Sequence, residues 1–238
     1  MAEENKGNPP TGKEIEEAVW FYNNQGFSII PLKEGIKIPN IPTWAEFQDR
    51  RPTRKEVQSW SDAGLFGGIG IITGDVTGGL VAIDIDDPSL IDKLGIEPWE
   101  IWDMGGWIAK TGRGYHIYFK NSEKCHGIKK PMGYGIEYRG NGGYVVASPS
   151  VHPSGEHYKW LDKPIIPGME DWKTHPLPDL IPIDVNALWE KWIQKIEENK
   201  GITHRETPEK ESAPRDGIPN CIKSILDGVK EGRRDDTA

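Results

Sequence analysis

Asp84-Ile85-Asp86 is the segment best suited to chemistry. It ends an apolar run, Leu80 to Asp86, that reads as a strand. Successive strand side chains point to opposite faces, so Asp84 and Asp86 share one face while Ile83 and Ile85 take the other. Two carboxylates held that close repel unless cations or hydrogen bonds compensate them. Hard cations such as Mg2+ or Mn2+ favour such an oxygen-only set. Two such ions, roughly 3.5–4 Å apart, can clamp the attacking and leaving oxygens of a phosphoryl transfer. The plainer reading is an exposed strand face followed by Asp87 capping a helix. Two other metal motifs fail: an EF-hand loop would find Pro88 and Gly95 at its fifth and twelfth positions, and an aspartyl-phosphatase motif would need Thr or Val where Pro88 stands.

Three further segments carry reactive types. Thr111-Gly112-Arg113-Gly114-Tyr115-His116 reads as a tight turn leading into a strand. Its glycines allow close backbone approach, and Arg113 with the turn N–H groups suits phosphate oxygens. His116 and Tyr118 share a strand face. The segment is not a dinucleotide fingerprint, because Ile117 stands at the last glycine position. Glu137 and Arg139 share a face of the next strand, where a third carboxylate would complete a metal site; an ordinary cross-strand ion pair is the alternative. Ser148-Pro149-Ser150-Val151-His152 follows a buried-looking strand, and reads either as a site loop or as a Pro-stiffened turn with hydroxyl caps.

Charge is distributed unevenly. The 238-residue chain carries a net charge of −8, which argues against simple electrostatic DNA binding. Ile108 to Trp160, however, holds eight basic residues against three acidic ones, and Asp84 to Asp103 holds seven acids against Lys93. An acidic block beside a basic block suits cations held next to a polyanion, although solvated surface charge gives the same pattern. No apolar run reaches the roughly 18 residues of a membrane span, and the N-terminus has no signal-peptide stretch. Cys125 and Cys221 cannot form a disulfide framework, and no CxxC suggests zinc. A cytoplasmic protein is expected. Ten Trp residues are core anchors in the plain reading and base-stacking platforms in the sharper one.

These residues need elements to position them. Capping boxes at Thr11/Glu14 and Thr53/Glu56 start helices that stop near Gln25 and Gly64. Strands are expected over Phe27–Pro31, Gly68–Thr73, Leu80–Asp86, Trp107–Lys110, Tyr115–Lys120, Gly135–Arg139, Tyr144–Ala147 and His157–Trp160. A loop rich in Pro and Lys, with Lys33 and Lys37, follows the first of them. Gly140-Asn141-Gly142-Gly143 gives a hairpin signal. A short helix, Ser89 to Leu94, lies between, and a helix from Val185 to Lys200 is capped by Asp184. Strands dominate the centre and helices the ends, so the fold class is α+β (mixed α/β), with mostly antiparallel sheets flanked by helices. The expected division is a catalytic domain over 1–200, a linker over 201–216 and, over 217–238, the opening of a helical domain. The apolar stripe after Ile218 suggests a chain cut from a longer protein.

The order GIGIITG…GLVAIDID, TGRGYHIYF and IEYRGNGGYVVASPSVHPSGEHYKW resembles the primase–polymerase (prim-pol) domain of the archaeo-eukaryotic primase superfamily, found in plasmid and viral replication proteins. The likeness runs from about Gly26 to Leu180, with IIPLKEGIKIP and HPLPDLIP adding to it. It implies a catalytic core with an RRM-like module. It also implies that Asp84, Asp86 and Glu137 are catalytic and bind Mg2+ or Mn2+ as a two-metal site. Glu137 replaces the usual Asp, keeping the charge on a longer arm. Thr111, Arg113, His116, Arg139, Ser150 and His152 would bind the nucleotide. Lys124, Lys129 and Lys130 are assigned, from their charge, to the DNA backbone. No zinc is expected, since only Cys125 and His126 fall where some relatives carry a zinc stem.

The implied activity is template-directed nucleotidyl transfer from dNTPs or NTPs to a primer on single-stranded DNA. Implied partners are the C-terminal helical domain and a helicase, with no membrane. Two alternatives stay open: a module that binds single-stranded DNA without catalysis, and another two-metal phosphotransfer enzyme such as a nuclease.

Overall fold

The computed structural model describes residues 10–131, 134–161 and 179–199. All of them fall within one unit spanning residues 1–202. The expected linker over 201–216 and the helix after it lie outside the described residues.

The chain forms two antiparallel sheets with helices outside them. Helix α1, Gly12–Asn24, starts at the expected capping box: Thr11 Oγ1 accepts from the Glu14 N–H, and Glu14 accepts from the Thr11 N–H. Strand β1, Ser28–Leu32, follows, and then α2, Arg54–Asp62, with the same device at Thr53 and Glu56. Strand β2 is Gly68–Ile72 and β3 is Leu80–Ile85. Two short helices, α3 (Ser89–Leu94) and α4 (Pro98–Asp103), lead to β4, Trp107–Lys110, and β5, Tyr115–Asn121. Then come β6 (Ile136–Arg139), β7 (Tyr144–Ala147), β8 (Lys159–Trp160), β9 (Pro182–Ile183) and α5 (Val185–Asn199). The α+β class and the prim-pol type of core agree with this architecture. No helix among the described residues is long and apolar enough to cross a membrane.

The small sheet has the order β1-β2-β7 and the large one β6-β3-β5-β4-β8, with β9 added in parallel to β5. The expected hairpin is corrected here. The glycine-rich turn over 140–143 does not close a hairpin, because β6 pairs with β3 in the large sheet while β7 pairs with β2 in the small one. The turn over 73–79 likewise carries the chain from β2 in one sheet to β3 in the other. The two crossings lock together. Asn141 Nδ2 donates to Asp75 Oδ2 (3.0 Å) and to the Cys125 carbonyl (2.9 Å), and Asn141 Oδ1 accepts from the Asp75 N–H. Thr73 Oγ1 donates to the Gly140 carbonyl at 2.7 Å. Turn composition signalled a reversal, but these side-chain bonds direct it between sheets. The strand ending at Trp160 is also not the last, since β9 follows, and α4 was not expected.

The large sheet has two different faces. Ile83, Ile85, Ile117, Phe119 and Tyr138 are buried apolar residues, and α5 covers part of this side: Phe119 meets Trp192 and Tyr138 meets Trp189. Asp184 caps α5, its Oδ1 accepting from the Ala187 N–H. The opposite face carries Asp84, His116, Tyr118, Glu137 and Arg139 by strand alternation. That face looks toward the small sheet, across a space that Tyr22, Phe27, Trp107 and Trp160 fill at one end.

Candidate active site

Strand register brings the best sequence candidates together. Asp84 lies directly opposite His116 on one neighbouring strand and opposite Glu137 on the other. Three reactive side chains therefore cross β5, β3 and β6 in one row. Facing side chains in an antiparallel ladder stand about 4.5–5.5 Å apart at Cβ, which makes the row a single chemical unit.

The row is dense in charge contacts. His116 Nε2 is 3.4 Å from Asp84 Oδ1. His116 Nδ1 lies 3.2 Å from the Tyr118 hydroxyl. An N–H at Nε2 faces Asp84 and Nδ1 pairs with the Tyr118 hydroxyl, so both ring nitrogens are engaged and the ring is fixed. One Arg139 guanidinium nitrogen is 2.6 Å from Glu137 Oε2 and 3.4 Å from Asp84 Oδ2, so it serves both carboxylates. Lys130 Nζ bonds the other Glu137 oxygen. Burial pushes the Asp84 carboxyl upward, but the His116 bond and the His116 and Arg139 charges outweigh it and hold the group below its ordinary range. The Glu137 bond and charge raise Lys130 above the ordinary ammonium value.

Asp86 stands apart. It is exposed, one residue past the end of β3, and its N–H bonds the Gly135 carbonyl at 2.8 Å. Among the described residues, no three His, Cys, Asp or Glu side chains stand close enough together to hold a metal ion. The expected set of Asp84, Asp86 and Glu137 is thus not gathered into one ligand cluster; Arg139, Lys130 and His116 balance Asp84 and Glu137 instead. Asp84 and Glu137 still fit a hard divalent cation in charge and in oxygen chemistry, since they already share one cationic nitrogen.

The turn residues behave differently. Thr111 Oγ1 accepts from the N–H groups of Arg113 (3.3 Å) and Gly114 (3.0 Å), so these donors serve the turn. A Cβ on Gly114 would meet the Ile85 carbonyl oxygen, and one on Gly112 would meet the His152 ring. The glycines thus let the turn pack against the end of β3 and against His152. Arg113 is exposed. Ser150 is buried, and its Oγ accepts from the Ile69 N–H at 2.8 Å. His152 is buried, and its Nδ1 accepts from the Ser154 N–H at 3.1 Å. Burial, then the Lys37 and Arg113 charges, lowers His152 below the ordinary imidazole value.

The three lysines do not form one track. Lys129 bridges Tyr138, whose ring faces α5, and its Nζ is 2.7 Å from Glu190 Oε1 on that helix. Lys130, one residue on, reaches Glu137 on the other face. Lys124 is exposed in the loop after β5.

A cavity of about 260 Å3 opens between the sheets at this row. Asp84, His116 and Arg139 line it from the large sheet, Tyr144, Val145 and Val146 from β7, and Lys37, Trp44, Ile128 and Tyr158 from loops and the β8 approach. A larger cavity of about 610 Å3 lies toward Leu80, at the other end of β3, and holds none of the candidate residues. The chemistry marks the smaller one. Sequence reading noted Lys37 without assigning it to a site, and missed Trp44, Tyr144 and Tyr158 as site residues. The Pro- and Lys-rich loop over 33–44 is the one signal that pointed there.

Comparison with known proteins accords with this geometry. No curated protein matches the chain significantly. Residues 18–180, most of the chain, match the family described as bifunctional DNA primase/polymerase, N-terminal. They contain the whole row and both crossings between the sheets, and the chain belongs to this prim-pol family.

Proposed function

We propose that this domain is a DNA primase–polymerase that joins (d)NTPs to a primer 3′-hydroxyl on a DNA template. Family membership supports primase/polymerase-type function in general and DNA and nucleotides as substrates, and prim-pol domains generally use divalent metals. The observation that carries the reading is the row itself: an acid, a histidine and a second acid facing one another across three adjacent strands, beside a cavity.

In this reading Asp84 and Glu137 would hold Mg2+ or Mn2+, with Asp86 drawn in from the end of β3 as a third carboxylate. Bound there, the ions would lower the pKa of the primer hydroxyl and neutralise charge on the leaving pyrophosphate. Asp84 is kept ionised by His116 and Arg139, so its oxygens stay available to a cation at neutral pH. The remaining chemistry falls to side chains of this protein. The primer 3′-hydroxyl loses its proton to solvent as its oxygen bonds to the α-phosphorus, and the α–β phosphoanhydride breaks to release pyrophosphate. His116 and Arg139 bind the triphosphate from the floor of the cavity, and the exposed Arg113 on the turn before β5 adds positive charge. Trp44 and Tyr144, edge to face at 5.1 Å, form an apolar wall for the nucleoside. Lys124 and Lys130 attract the template backbone, while Lys129 is held against α5 by Glu190.

Extension of a labelled primer with dNTPs and Mg2+ or Mn2+ tests this. Wild type should extend, and the folded Asp84→Ala/Asp86→Ala variant should not. Absence of extension with single-stranded DNA binding retained would favour the non-catalytic module, and shortening of the strand would favour a nuclease.

A further inference from the structure

Three buried side-chain polar atoms lack a hydrogen-bond partner among the described residues: Trp102 Nε1, Arg139 Nε and Tyr158 Oη. Arg139 and Tyr158 line the same cavity, the one that holds Asp84 and His116. A buried polar group without a partner costs stability, so proteins rarely keep one without a use. Two in one cavity indicate a missing partner there.

The chemistry of the two atoms specifies that partner. Arg139 Nε–H is a donor and cannot accept. The Tyr158 phenol, with an ordinary pKa near 10, is protonated at neutral pH and can donate. The complementary group therefore presents acceptor oxygens. Lys37 and the Arg139 guanidinium line the cavity too, which favours an acceptor carrying negative charge.

Tyr158 is also held firmly. Its N–H bonds the Ser150 carbonyl at 2.9 Å, and its ring packs with Ile30, Leu32, Phe47, Ile72 and Val146. The ring lies 5.5 Å from that of His116 and 5.9 Å from that of His152, centroid to centroid. Only 1% of the residue is exposed, so the hydroxyl has little bulk water to bond.

We propose that Tyr158 is a nucleotide-binding residue of this chain, its hydroxyl and the Arg139 Nε–H donating to phosphate oxygens of a bound nucleoside triphosphate. This inference rests on the primase–polymerase reading and adds a determinant on the loop side of the cavity, facing the strand residues. Donation to phosphate is independent of the sugar, so Tyr158 tightens ribo- and deoxyribonucleotides alike.

The test is titration calorimetry of wild type, Tyr158→Phe and Arg139→Lys with a non-hydrolysable dNTP, the matching NTP and inorganic tripolyphosphate, each with Mg2+. Tyr158→Phe should weaken all three ligands about tenfold, or about 1.4 kcal/mol. Its melting temperature should stay level or rise, because an unpartnered hydroxyl is removed. Arg139→Lys keeps a charge near Glu137 but loses the Nε–H, and should weaken the same three ligands. A clear fall in the melting temperature of Tyr158→Phe would reveal a structural partner for the hydroxyl and overturn the inference. So would a loss confined to the NTP, which would move the contact to the sugar. Equal binding by wild type and Tyr158→Phe overturns it while leaving the primase–polymerase reading intact. Failure of wild type to bind any nucleotide overturns both.

Discussion

Strand residues and turn residues of the site differ in what their polar atoms do. On the strands, Asp84, His116, Glu137 and Arg139 contact one another, and three of them line a cavity whose walls also carry donors without a partner among the described residues. In the turns, Thr111, Ser150 and His152 have atoms committed to backbone N–H groups nearby. Both groups are mostly buried, so burial does not separate them. The direction of the hydrogen bonds does. Side chains that bond backbone hold the turns in place, and side chains that bond each other leave charge to be rearranged when a ligand arrives.

The largest effect that would sharpen this contrast is at Glu137. Glu137→Gln keeps the shape and removes the charge that Lys130 and Arg139 share. As a direct ligand it should cost more than the roughly 10–100-fold typical of an outer-shell partner. Single-turnover incorporation with Mg2+ would measure it, beside a thermal melt to confirm the fold. Incorporation near the wild-type rate would remove Glu137 from the site and break the row.

Ser150→Ala should act on the other side of the comparison. It strips the buried Ile69 N–H of its acceptor, which costs about 1–3 kcal/mol. At about 2–4 °C per kcal/mol for a domain of this size, the melting temperature should fall by several degrees. Nucleotide affinity of the folded protein should fall less than in Tyr158→Phe. The reverse pattern, an unchanged melt with weakened nucleotide, would place Ser150 with the strand residues, as the family resemblance implies.

Much of this was legible in the sequence, for a definite reason. Capping boxes are local, so α1 and α2 began where Thr11 and Thr53 indicated. Alternation is local too, so Glu137 and Arg139 fell on one face and Tyr138 on the other. What was not legible was pairing. Gly140 to Gly143 has the composition of a hairpin turn, and only the bonds from Asn141 to Asp75 and Cys125, distant in sequence, direct it between sheets. Tyr158 was hidden for the same reason. Within His-Tyr-Lys-Trp it is an ordinary strand aromatic, and its place in the cavity depends on how the loop over 148–158 folds back on β2.

Register also divides the lysines, and this gives the smallest and most discriminating effect. Charge alone grouped Lys124, Lys129 and Lys130. Alternation puts Lys129 on the α5 face, held by Glu190, and Lys130 on the site face at Glu137. A lysine that neutralises a DNA phosphate contributes about one unit to the slope of log affinity against log salt. Lys130→Ala should therefore lower that slope by about one in fluorescence titrations with single-stranded DNA. Lys129→Ala should leave it nearly unchanged, and should cost at most about 1 kcal/mol of stability through the exposed pair with Glu190. An equal drop in slope for both variants would mean that DNA contacts both faces of the sheet, and the separation of a site face from a helix-covered face would no longer describe how this domain meets its template.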